Sequence, residues 1–596
     1  MSNEKKIEKK RITDIGISLI PVLMLVLIVG VFFDVYYDLN DDVAIRNILS
    51  GAFGGTPSAM TVYVYVLPAL LISFLYRLFP VVPWFGLCEI LSLMFCIFSI
   101  TYVLVKRMEK MTLKLLCAAV VEAIFASLLL YQFVFVQYTI VAGVLAGAGA
   151  FILFMLDDKA KPKDFILASL PAIFLEIIAF NLRSQIMLLE LPLIGVLYIA
   201  KWILGAKETD SKLFARKTII KYFTPLVAVV ILMGASFVAN NAAYSTGGWK
   251  EYTELNKYRT VLLDYQCYLP DYEEHKEFYE NAGIDATELA LLGTDNYNIA
   301  LDKKLDSNAF KMISDYNHDV LGISGRNSVR GTLSTYKSMI FKASEYKYAY
   351  VIIGVYVILF ALSLMSHSYE MIVFEVILAA ARSLSWVYMI YKGRIRDRIT
   401  IPLGFTEVLI VTAMIVVTLS KMKKKKEMWS VIALVLVAVT ALTCLPGSAS
   451  GTFEEYERRE RINRNWNELL AYCEKEDNYH NYYFLDTMST VDYSEKIFAG
   501  REDGYNNYEI IGGWVVDNPL FDKKLSQRGI GELPDDLALE NTYFVAKSLK
   551  DTKWLTDYLN KGQNGDEAYF LEQVDIVGNI INEKDVTFTI YKINKQ

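Results

Sequence analysis

Carboxylates crowd the point where the first long apolar run of the chain, residues 15–33, comes to an end. Four aspartates lie within nine positions there: Asp34, Asp38, Asp41 and Asp42. The adjacent pair Asp41 and Asp42 opens the stretch "DDVAIRNILSGAFGGTP". Such a pair can act as a general base toward a hydroxyl group, or it can bind a divalent metal ion. It can equally cap a short helix over 43–49, whose dipole favours negative charge at its start.

A group of cations is the second candidate for chemistry. The segment 391–400 reads "YKGRIRDRIT" and holds four of them: Lys392, Arg394, Arg396 and Arg398. A guanidinium group donates two parallel hydrogen bonds to phosphate oxygens, so this loop suits a phosphate or pyrophosphate group. Arg183, in the turn "FNLRSQ", is a further candidate for the same ligand. The alternative is that these cations bind ordinary anionic headgroups or pair with acidic loops.

Neutral and aromatic side chains are candidates for contacts with the rest of a substrate. Gln137 lies in "YQFVFVQYT", Tyr37 follows the first apolar run, and Trp249 lies in a Tyr-rich stretch over 244–284. Amides and aromatic rings suit sugar hydroxyls and sugar faces, although such rings also form ordinary helical cores. The four histidines and six cysteines have no spacing typical of a zinc site or a disulfide framework.

Carboxylates inside apolar runs are costly and are therefore worth naming. Five glutamates have such positions: Glu122, Glu176, Glu190, Glu375 and Glu407. Each is more often a structural partner for an arginine than a group that reacts.

Membrane helices are the elements that must position these residues. Hydrophobic residues make up 54% of the 596-residue chain, and they cluster into runs long enough to cross ~30 Å of hydrocarbon. The candidate spans are 15–33, 85–105, 113–131, 134–156, 165–181, 186–204, 218–239, 347–366, 370–391, 400–420 and 428–446. We therefore expect a polytopic α-helical membrane protein with about 11 transmembrane helices. No small-residue cleavage site follows the first run, so it is expected to be an uncleaved span.

The distribution of Lys and Arg predicts the orientation, because cytoplasmic loops are rich in both. The run "KKIEKKR" near the start places the N-terminus in the cytoplasm. A further apolar segment, 62–79, carries Pro68 and Arg77. If this segment does not cross, the basic runs "KRMEKMTLK", "DDKAKPKD" and "KMKKKKE" also face the cytoplasm. We therefore expect 62–79 to lie on the outer surface and the C-terminus to be extracytoplasmic.

This arrangement divides the chain into four parts. The N-terminal transmembrane region covers 1–240 and contains a first outer loop over 34–84. A large extracytoplasmic loop follows over 241–346, and the C-terminal transmembrane helices lie within 347–446. The tail, 447–596, has strand-like runs between helical stretches, which predicts a small extracytoplasmic α/β domain.

In this combination of features the chain resembles the GT-C superfamily of integral membrane glycosyltransferases. The matching residues are "NDD" at 40–42, the apolar segment 62–79 followed by "PVVPWFG", and the basic outer loop "KGRIRDR". The likeness is greatest to the bacterial relatives of protein mannosyltransferases and of lipid A aminoarabinose transferases. Two features depart from that pattern. The hairpin "YQFVFVQYT" has no carboxylate, and "MTVYVYVLP" replaces a "PPL"-type motif.

The resemblance implies transfer of a sugar from a polyprenyl-phosphate donor at the outer face of a bacterial plasma membrane. By this likeness Asp41 or Asp42 is the base, while Arg394, Arg396 and Arg398 hold the donor phosphate. The acceptor is expected to be a cell-surface glycan, a lipid or a protein. A divalent metal at the aspartate pair is the one cofactor to consider, and nothing in the sequence resembles a nucleic-acid-binding arm.

Two other functions fit the same architecture. A polysaccharide polymerase or ligase would share the phosphate site and use an arginine-centred mechanism without an aspartate base. A non-enzymatic transporter of lipid-linked glycans would place charged residues along a path through the bundle, often in repeated halves. No internal repeat is evident in the sequence.

Overall fold

The computed structural model describes residues 3–341, 348–422, 426–500, 506–561 and 568–595. The described part of the chain is mostly helical, and eight of its helices are long and apolar enough to cross a membrane. The protein is therefore a polytopic helical protein, as its composition predicts. Three stretches named above lie outside the described residues: the first residue of the span 347–366, the end of the loop 241–346, and Lys423–Lys425 of "KMKKKKE".

Nine helices form the first half of the chain. They are α1 (Asn3–Phe32), α2 (Asn40–Ser50), α3 (Val66–Leu78), α4 (Trp84–Arg107), α5 (Met111–Val134), α6 (Tyr138–Phe154), α7 (Pro162–Ala168), α8 (Leu170–Glu208) and α9 (Arg216–Ala243). Two short parallel strands, β1 (Tyr36–Tyr37) and β2 (Phe135–Val136), pair between them. Small helices follow in the large loop: α10 (Gly248–Arg259), α11 (Lys276–Ala282), α12 (Ala286–Leu291), α13 (Ser307–Asp319) and α14 (Val329–Phe341).

The second half returns to long apolar helices and then changes character. The helices are α15 (Ala349–Met365), α16 (Tyr369–Tyr391), α17 (Asp397–Ser420), α18 (Lys426–Leu442), α19 (Leu445–Glu474), α20 (Pro519–Gln527) and α21 (Lys553–Leu559). The strands are β3 (Tyr482–Leu485), β4 (Tyr508–Ile510), β5 (Thr542–Lys547), β6 (Tyr569–Val577) and β7 (Phe588–Lys595).

Helix α8 folds back on itself. Arg183 has a φ of −155° and a ψ of 90°, which interrupts the helix. The Tyr198 hydroxyl donates to Glu176 Oε2 at 3.4 Å, although these residues are 22 positions apart. A straight helix would separate them by about 33 Å. The chain therefore reverses near Arg183, and α8 is an antiparallel pair that matches the predicted spans 165–181 and 186–204.

Ion pairs gather the loops at one end of the bundle, which we call the basic end. They join segments that are distant in the chain: Lys114 with Asp14, Lys110 with Glu427, Lys201 with Asp158, and both Lys207 and Lys421 with Glu370. Lys201 also donates to the Leu156 carbonyl at 2.6 Å. These are the loops whose Lys and Arg content predicts a cytoplasmic face.

The opposite end, which we call the site end, holds the segment between α1 and α2, the turn at Arg183 and the start of α17. Helix α3 begins and ends here. Its first turn is tied to Asn181 and Asn240, because Tyr65 N donates to the Asn181 carbonyl and Val66 N donates to Asn240 Oδ1. The 13 residues of α3 span about 20 Å, which is less than the ~30 Å of a bilayer core.

A five-stranded sheet follows α19, in the order β4-β3-β5-β7-β6. Strand β3 is parallel to both β4 and β5, whereas β7 is antiparallel to β5 and β6. Helix α19 covers one face, where the ring of Trp466 stacks on Tyr493 at 5.0 Å. The carboxyl ends of the parallel strands therefore meet at one edge of the sheet.

The sheet region is joined to the site end through the backbone and through a buried ion pair. Tyr37 N donates to the Glu495 carbonyl at 3.0 Å, and Ile497 N donates to the Val35 carbonyl at 2.8 Å. The Arg46 guanidinium pairs with the Glu495 carboxylate, and both side chains are buried. Helix α2 is thus clamped between the membrane helices and the C-terminal region.

Candidate functional site

Helix α2 presents Asp41 and Asp42 to different surroundings. Asp42 is fully buried, and its carboxylate accepts hydrogen bonds from Tyr138 N at 3.0 Å and from Leu39 N at 3.2 Å. Burial raises the pKa of Asp42 well above its ordinary value, and the nearby charges of Asp41 and Asp38 add to the effect. The side chain therefore ties the start of α2 to the start of α6.

Asp41 faces the opening of the site and is held by two donors. Trp514 Nε1 donates to Asp41 Oδ1 at 2.8 Å, and Arg398 Nη1 donates to Oδ2 at 3.2 Å. The Asp41 side chain is 22% exposed. A carboxylate with about four lone-pair positions and two donors keeps acceptor capacity for a substrate hydroxyl. Asp41 is therefore the better placed of the two aspartates to act as a base.

Arg183, in the turn of α8, shares two tyrosine neighbours with Asp41. Its guanidinium carbon is 4.7 Å from the ring centre of Tyr63 and 5.6 Å from that of Tyr138. Tyr138 also interacts electrostatically with Asp41 and with Arg398, so it connects the three charged groups. Nη1 of Arg183 is buried and has no hydrogen-bond partner among the described residues. This nitrogen is therefore a hydrogen-bond donor without a partner among the described residues.

The large loop adds further polar groups around Trp514 and Tyr63. Arg259 at the end of α10 is buried, and its guanidinium donates to the Gly513 carbonyl. It interacts electrostatically with Tyr63, Tyr297 and Asp264. Burial raises the pKa of the Tyr63 phenol, so this group is a neutral hydrogen-bond donor at neutral pH.

The structure separates the four cations of the loop 391–400. Arg398 contacts Asp41, whereas Arg394 lies 3.6 Å from Asp264 and 4.3 Å from the ring centre of Tyr265. Lys392 lies 6.0 Å from the ring centre of Tyr388, and Arg396 is exposed at the residue before α17. Among these predicted phosphate ligands, Arg398 alone contacts the carboxylate of Asp41. Arg183, on a different helix, lies against Tyr63 and Tyr138.

The three predicted substrate contacts have structural partners. Gln137 is fully buried and caps α6 by accepting from Thr139 N and Ile140 N. Tyr37 is also buried, and its hydroxyl accepts from Gly86 N at 3.2 Å. Trp249 packs edge-on against Tyr244 and Tyr252, one contact away from Trp514. We therefore leave Gln137 and Tyr37 out of the proposed substrate surface.

The aspartate pair does not fit a divalent metal ion. Asp42 is fully buried with both oxygens accepting from backbone nitrogens, and the Arg398 cation 3.2 Å from Asp41 repels a second cation there. Across the described part of the chain, no group of three or more His, Cys, Asp or Glu is arranged to hold a metal. No step in the reaction below uses one.

A cavity lies next to the site, between α2 and the sheet. Its volume is about 70 Å³, which holds a few water molecules and is well below the roughly 300–1,000 Å³ of a small-ligand pocket. Its walls include Asn40, Asn47, Phe53, Tyr508, Glu495 and Lys524. Asn40 and Val515, which also line it, are the chain neighbours of Asp41 and Trp514. Neither Asp41 nor Trp514 is part of its lining, so the cavity adjoins α2 but does not include the carboxylate.

Sequence reasoning missed three participants: Trp514, Arg259 and Tyr63. The signal for Trp514 was a short apolar run with two glycines, "IIGGWVV", inside a polar region. No comparable signal marked Arg259 or Tyr63, because both depend on how the large loop folds. No protein-family model matches this chain, and a search of curated proteins found no match either.

Proposed function

We propose that the protein is an integral membrane glycosyltransferase that uses a polyprenyl-phosphate sugar as its donor. The observation that carries the proposal is the arrangement around Asp41. A partly exposed carboxylate contacts Arg398, and the guanidinium of Arg183, whose Nη1 has no hydrogen-bond partner among the described residues, lies 5.6 Å from the ring centre of Tyr138. A base beside two guanidinium groups suits a reaction in which a hydroxyl loses its proton while a phosphate departs.

The proposed reaction has three simultaneous changes. Asp41 takes the proton of the acceptor hydroxyl, and the acceptor oxygen forms a bond to the anomeric carbon. The bond from that carbon to the phosphate oxygen breaks, and the electron pair leaves with the polyprenyl phosphate. Arg183 and Arg398 stabilise the added negative charge on the phosphate through charge-assisted hydrogen bonds. Attack in line with the leaving group inverts the anomeric configuration.

The proposed membrane arrangement has eleven spans. Eight helices qualify by length and composition, α8 counts twice because it reverses at Arg183, and the shorter apolar helices α6 and α15 complete the number. The basic end is proposed to face the cytoplasm, because it gathers the Lys-rich loops. The N-terminus is then inside, while the site end and the C-terminal α/β region are extracytoplasmic. Helix α3 lies along the outer surface.

The proposed partners follow from this placement. The donor is an amphipathic lipid of the plasma membrane of a bacterium, with its phosphate at the site end. The acceptor is a cell-surface glycan, a lipid or a protein that approaches the exposed side of Asp41. Lys392, Arg394 and Arg396 lie near the site end and are proposed to contact lipid phosphates on the way in.

Sugar transfer by the purified protein from a panel of polyprenyl-phosphate sugars tests the proposal. We expect Asp41→Asn to lower kcat by about 10²–10⁴-fold with little change in donor binding, since a positioned base typically contributes that factor. We expect Arg183→Ala to weaken donor binding by about 10–100-fold, because it removes charge-assisted hydrogen bonds. Asp319→Asn, an exposed aspartate on α13, is the matched control and should behave as wild type.

Two results would contradict the proposal. Full turnover by Asp41→Asn would favour a polymerase or ligase that uses arginine without an aspartate base. Failure of the wild type to bind any polyprenyl-phosphate sugar would contradict the proposed glycosyltransferase function.

Transport of a lipid-linked glycan is the second candidate, and buried carboxylates favour it. Both carboxylate oxygens of Glu89 and of Glu122 are buried without a hydrogen-bond partner among the described residues. Unpaired carboxylates inside membrane helices commonly serve ion-coupled transport. In contrast, Glu407 pairs with Arg382 at 3.0 Å, Glu176 with Tyr198, and Glu190 with Thr406, as structural roles require.

A further inference from the structure

We propose that Trp514, which the C-terminal region brings to the site, is a positioning residue for Asp41. The inference rests on the glycosyltransferase function proposed above and assigns part of its site to the sheet region. That region is thereby a working component of the transfer reaction and not only a cover on the membrane helices.

The contact itself is direct. Trp514 Nε1 donates to Asp41 Oδ1 at 2.8 Å, while the other oxygen, Oδ2, accepts from Arg398. A carboxylate held by one donor on each oxygen cannot rotate about its χ2 angle without losing a hydrogen bond. Trp514 and Arg398 together therefore fix the plane of the carboxylate, and with it the direction of its remaining lone pairs.

Trp514 is itself held from three sides. Its side chain is 8% exposed, and its ring meets the ring of Tyr63 edge-on at 4.9 Å. Its carbonyl accepts a hydrogen bond from the Tyr252 hydroxyl, and the carbonyl of Gly513 accepts one from Arg259. The donor to Asp41 is therefore anchored to Tyr63 and, through Tyr252 and Arg259, to the large loop.

The backbone that leads to Trp514 is packed tightly against the large loop. The turn follows β4, and Ala300 N donates to the Ile511 carbonyl at 3.1 Å. A Cβ on Gly512 would lie 1.8 Å from the Tyr297 carbonyl oxygen and 2.4 Å from Thr487 Oγ1. Only glycine permits this approach, which sets the turn directly against the large loop.

This arrangement predicts a specific kinetic defect. A misplacement of a base by about 1 Å can cost about 10²-fold in rate. Removing the indole N–H should leave the donor phosphate site of Arg183 intact but allow Asp41 to rotate. We therefore expect Trp514→Phe to lower kcat by about 10–100-fold while the Kd for the polyprenyl-phosphate sugar stays within about twofold.

Trp554→Phe is the matched control. Trp554 lies in the same C-terminal region on α21, and its buried Nε1 has no hydrogen-bond partner among the described residues. The same chemical change there removes no contact with the site. We expect kcat, Kd and the melting temperature of Trp554→Phe to match those of wild type.

A double-mutant comparison separates positioning from general damage. If Trp514 acts through Asp41, Trp514→Phe has no further effect on the residual rate of Asp41→Asn. A kcat within twofold of wild type in Trp514→Phe would overturn the proposal. So would a parallel loss of kcat, donor binding and melting temperature, because that pattern indicates a structural role.

Fluorine NMR tests the contact independently of turnover. In protein labelled with 5-fluorotryptophan, Trp514→Phe and Trp554→Phe identify their own resonances by loss of signal. We expect Asp41→Asn to shift the Trp514 resonance and to leave that of Trp554 in place. An unmoved Trp514 resonance overturns the contact. A shifted resonance in a protein that transfers no sugar overturns the proposed function and, with it, the catalytic role, while the contact stands.

Discussion

Asp41 and Asp42 are neighbours in the chain, yet the fold gives them opposite roles. One oxygen of Asp42 accepts from Tyr138 N and the other from Leu39 N, so this side chain connects α2 to α6. Asp41 is partly exposed and has charged and indole donors around it. A helix places successive residues about 100° apart, so adjacent carboxylates must face different surroundings. The pair is therefore one structural aspartate and one candidate base.

Asp517, three residues after Trp514, has a strained backbone conformation. It has a φ of +58°, which non-glycine residues seldom adopt, and it accepts no hydrogen bond from the described residues. Burial, together with the charge of Asp522, raises the pKa of Asp517 to about 7 against the opposing effects of Arg259 and Lys303. The folded protein therefore favours the protonated form of this side chain.

The pH dependence of stability tests this assignment. Because the folded pKa is about 7 and the ordinary value is 3.8, the folded state binds the extra proton between these values. Stability from this group is present below pH 4 and is lost as the pH rises toward 7. We expect Asp517→Asn to melt higher than wild type at pH 8, with the difference shrinking toward pH 5. The exposed Asp477→Asn is the control, and a difference that is constant with pH would contradict the assignment.

At the scale of elements, α6 is the central helix of the bundle, and it is buried along its whole length. Its glycines allow close packing. A Cβ on Gly143 would lie 2.4 Å from Pro402 Cβ, and one on Gly147 would lie 2.2 Å from Thr406 Oγ1. Small residues at helix contacts of this kind let backbones approach inside membranes. The start of α17, which carries Arg398, is thus set by its fit against α6.

Gly147→Ala tests this packing. The added methyl group must displace Thr406, and overpacking of this kind costs about 1–3 kcal/mol. We expect a lower melting temperature in detergent. Gly195→Ala in α8 is the matched control, since no atom lies within 4 Å of its Cβ position and alanine favours a helix. Equal melting temperatures for the two variants would show that α6 and α17 are not in close contact.

The sequence predicted elements better than it predicted their partners. Apolar runs located the helices closely, as with 218–239 against α9 (Arg216–Ala243), because hydropathy depends on local composition. The predicted span 428–446 missed that a polar helix, α19, begins at Leu445 almost without a break. Polar residues can continue a helix beyond the end of an apolar run, so hydropathy alone does not predict a polar helix such as α19.

The candidate site was predictable only in part. The acidic pair and the basic loop were both identified from residue type and spacing, and the structure joins Asp41 to Arg398 across 357 positions. Trp514 is 473 positions from Asp41. No local pattern tells which of several distant aromatic residues will reach a carboxylate, since that depends on docking of the sheet region. The different positions of the four cations in the segment 391–400 were unpredictable for the same reason, because their partners are also distant in the chain.

At the scale of the whole molecule, the two ends of the bundle differ in charge. The basic end gathers the Lys-rich loops, and the site end gathers the aspartates, Arg183, Arg398 and the sheet region. The candidate transfer site, with Asp41, Arg398 and Trp514, therefore lies at one end of the bundle. The proposed orientation places that end outside the cell.

Thiol labelling tests this orientation in intact cells. Cys267 is exposed in the large loop, whereas Cys96, Cys117 and Cys473 are buried. We expect a membrane-impermeant maleimide to label the wild type from outside and to label Cys267→Ser much less. A second variant, Lys161→Cys in the Cys267→Ser background, places a thiol at the basic end. It should be labelled only after the membrane is permeabilised, and the reverse pattern would contradict the orientation.

The contacts of the segment from Asp34 to Arg46 also determine how late in biosynthesis this segment can complete its fold. Asp34 pairs with Lys496, Asp38 with Arg459, and Arg46 with Glu495. These partners emerge from the ribosome more than 400 residues later, which at about 5–20 residues per second is roughly 20–90 s. A chain that ends before them keeps Arg398 for Asp41 and Tyr138 for Asp42 but lacks the partners of Asp34, Asp38 and Arg46. Completion of this segment therefore waits for synthesis of the C-terminal region.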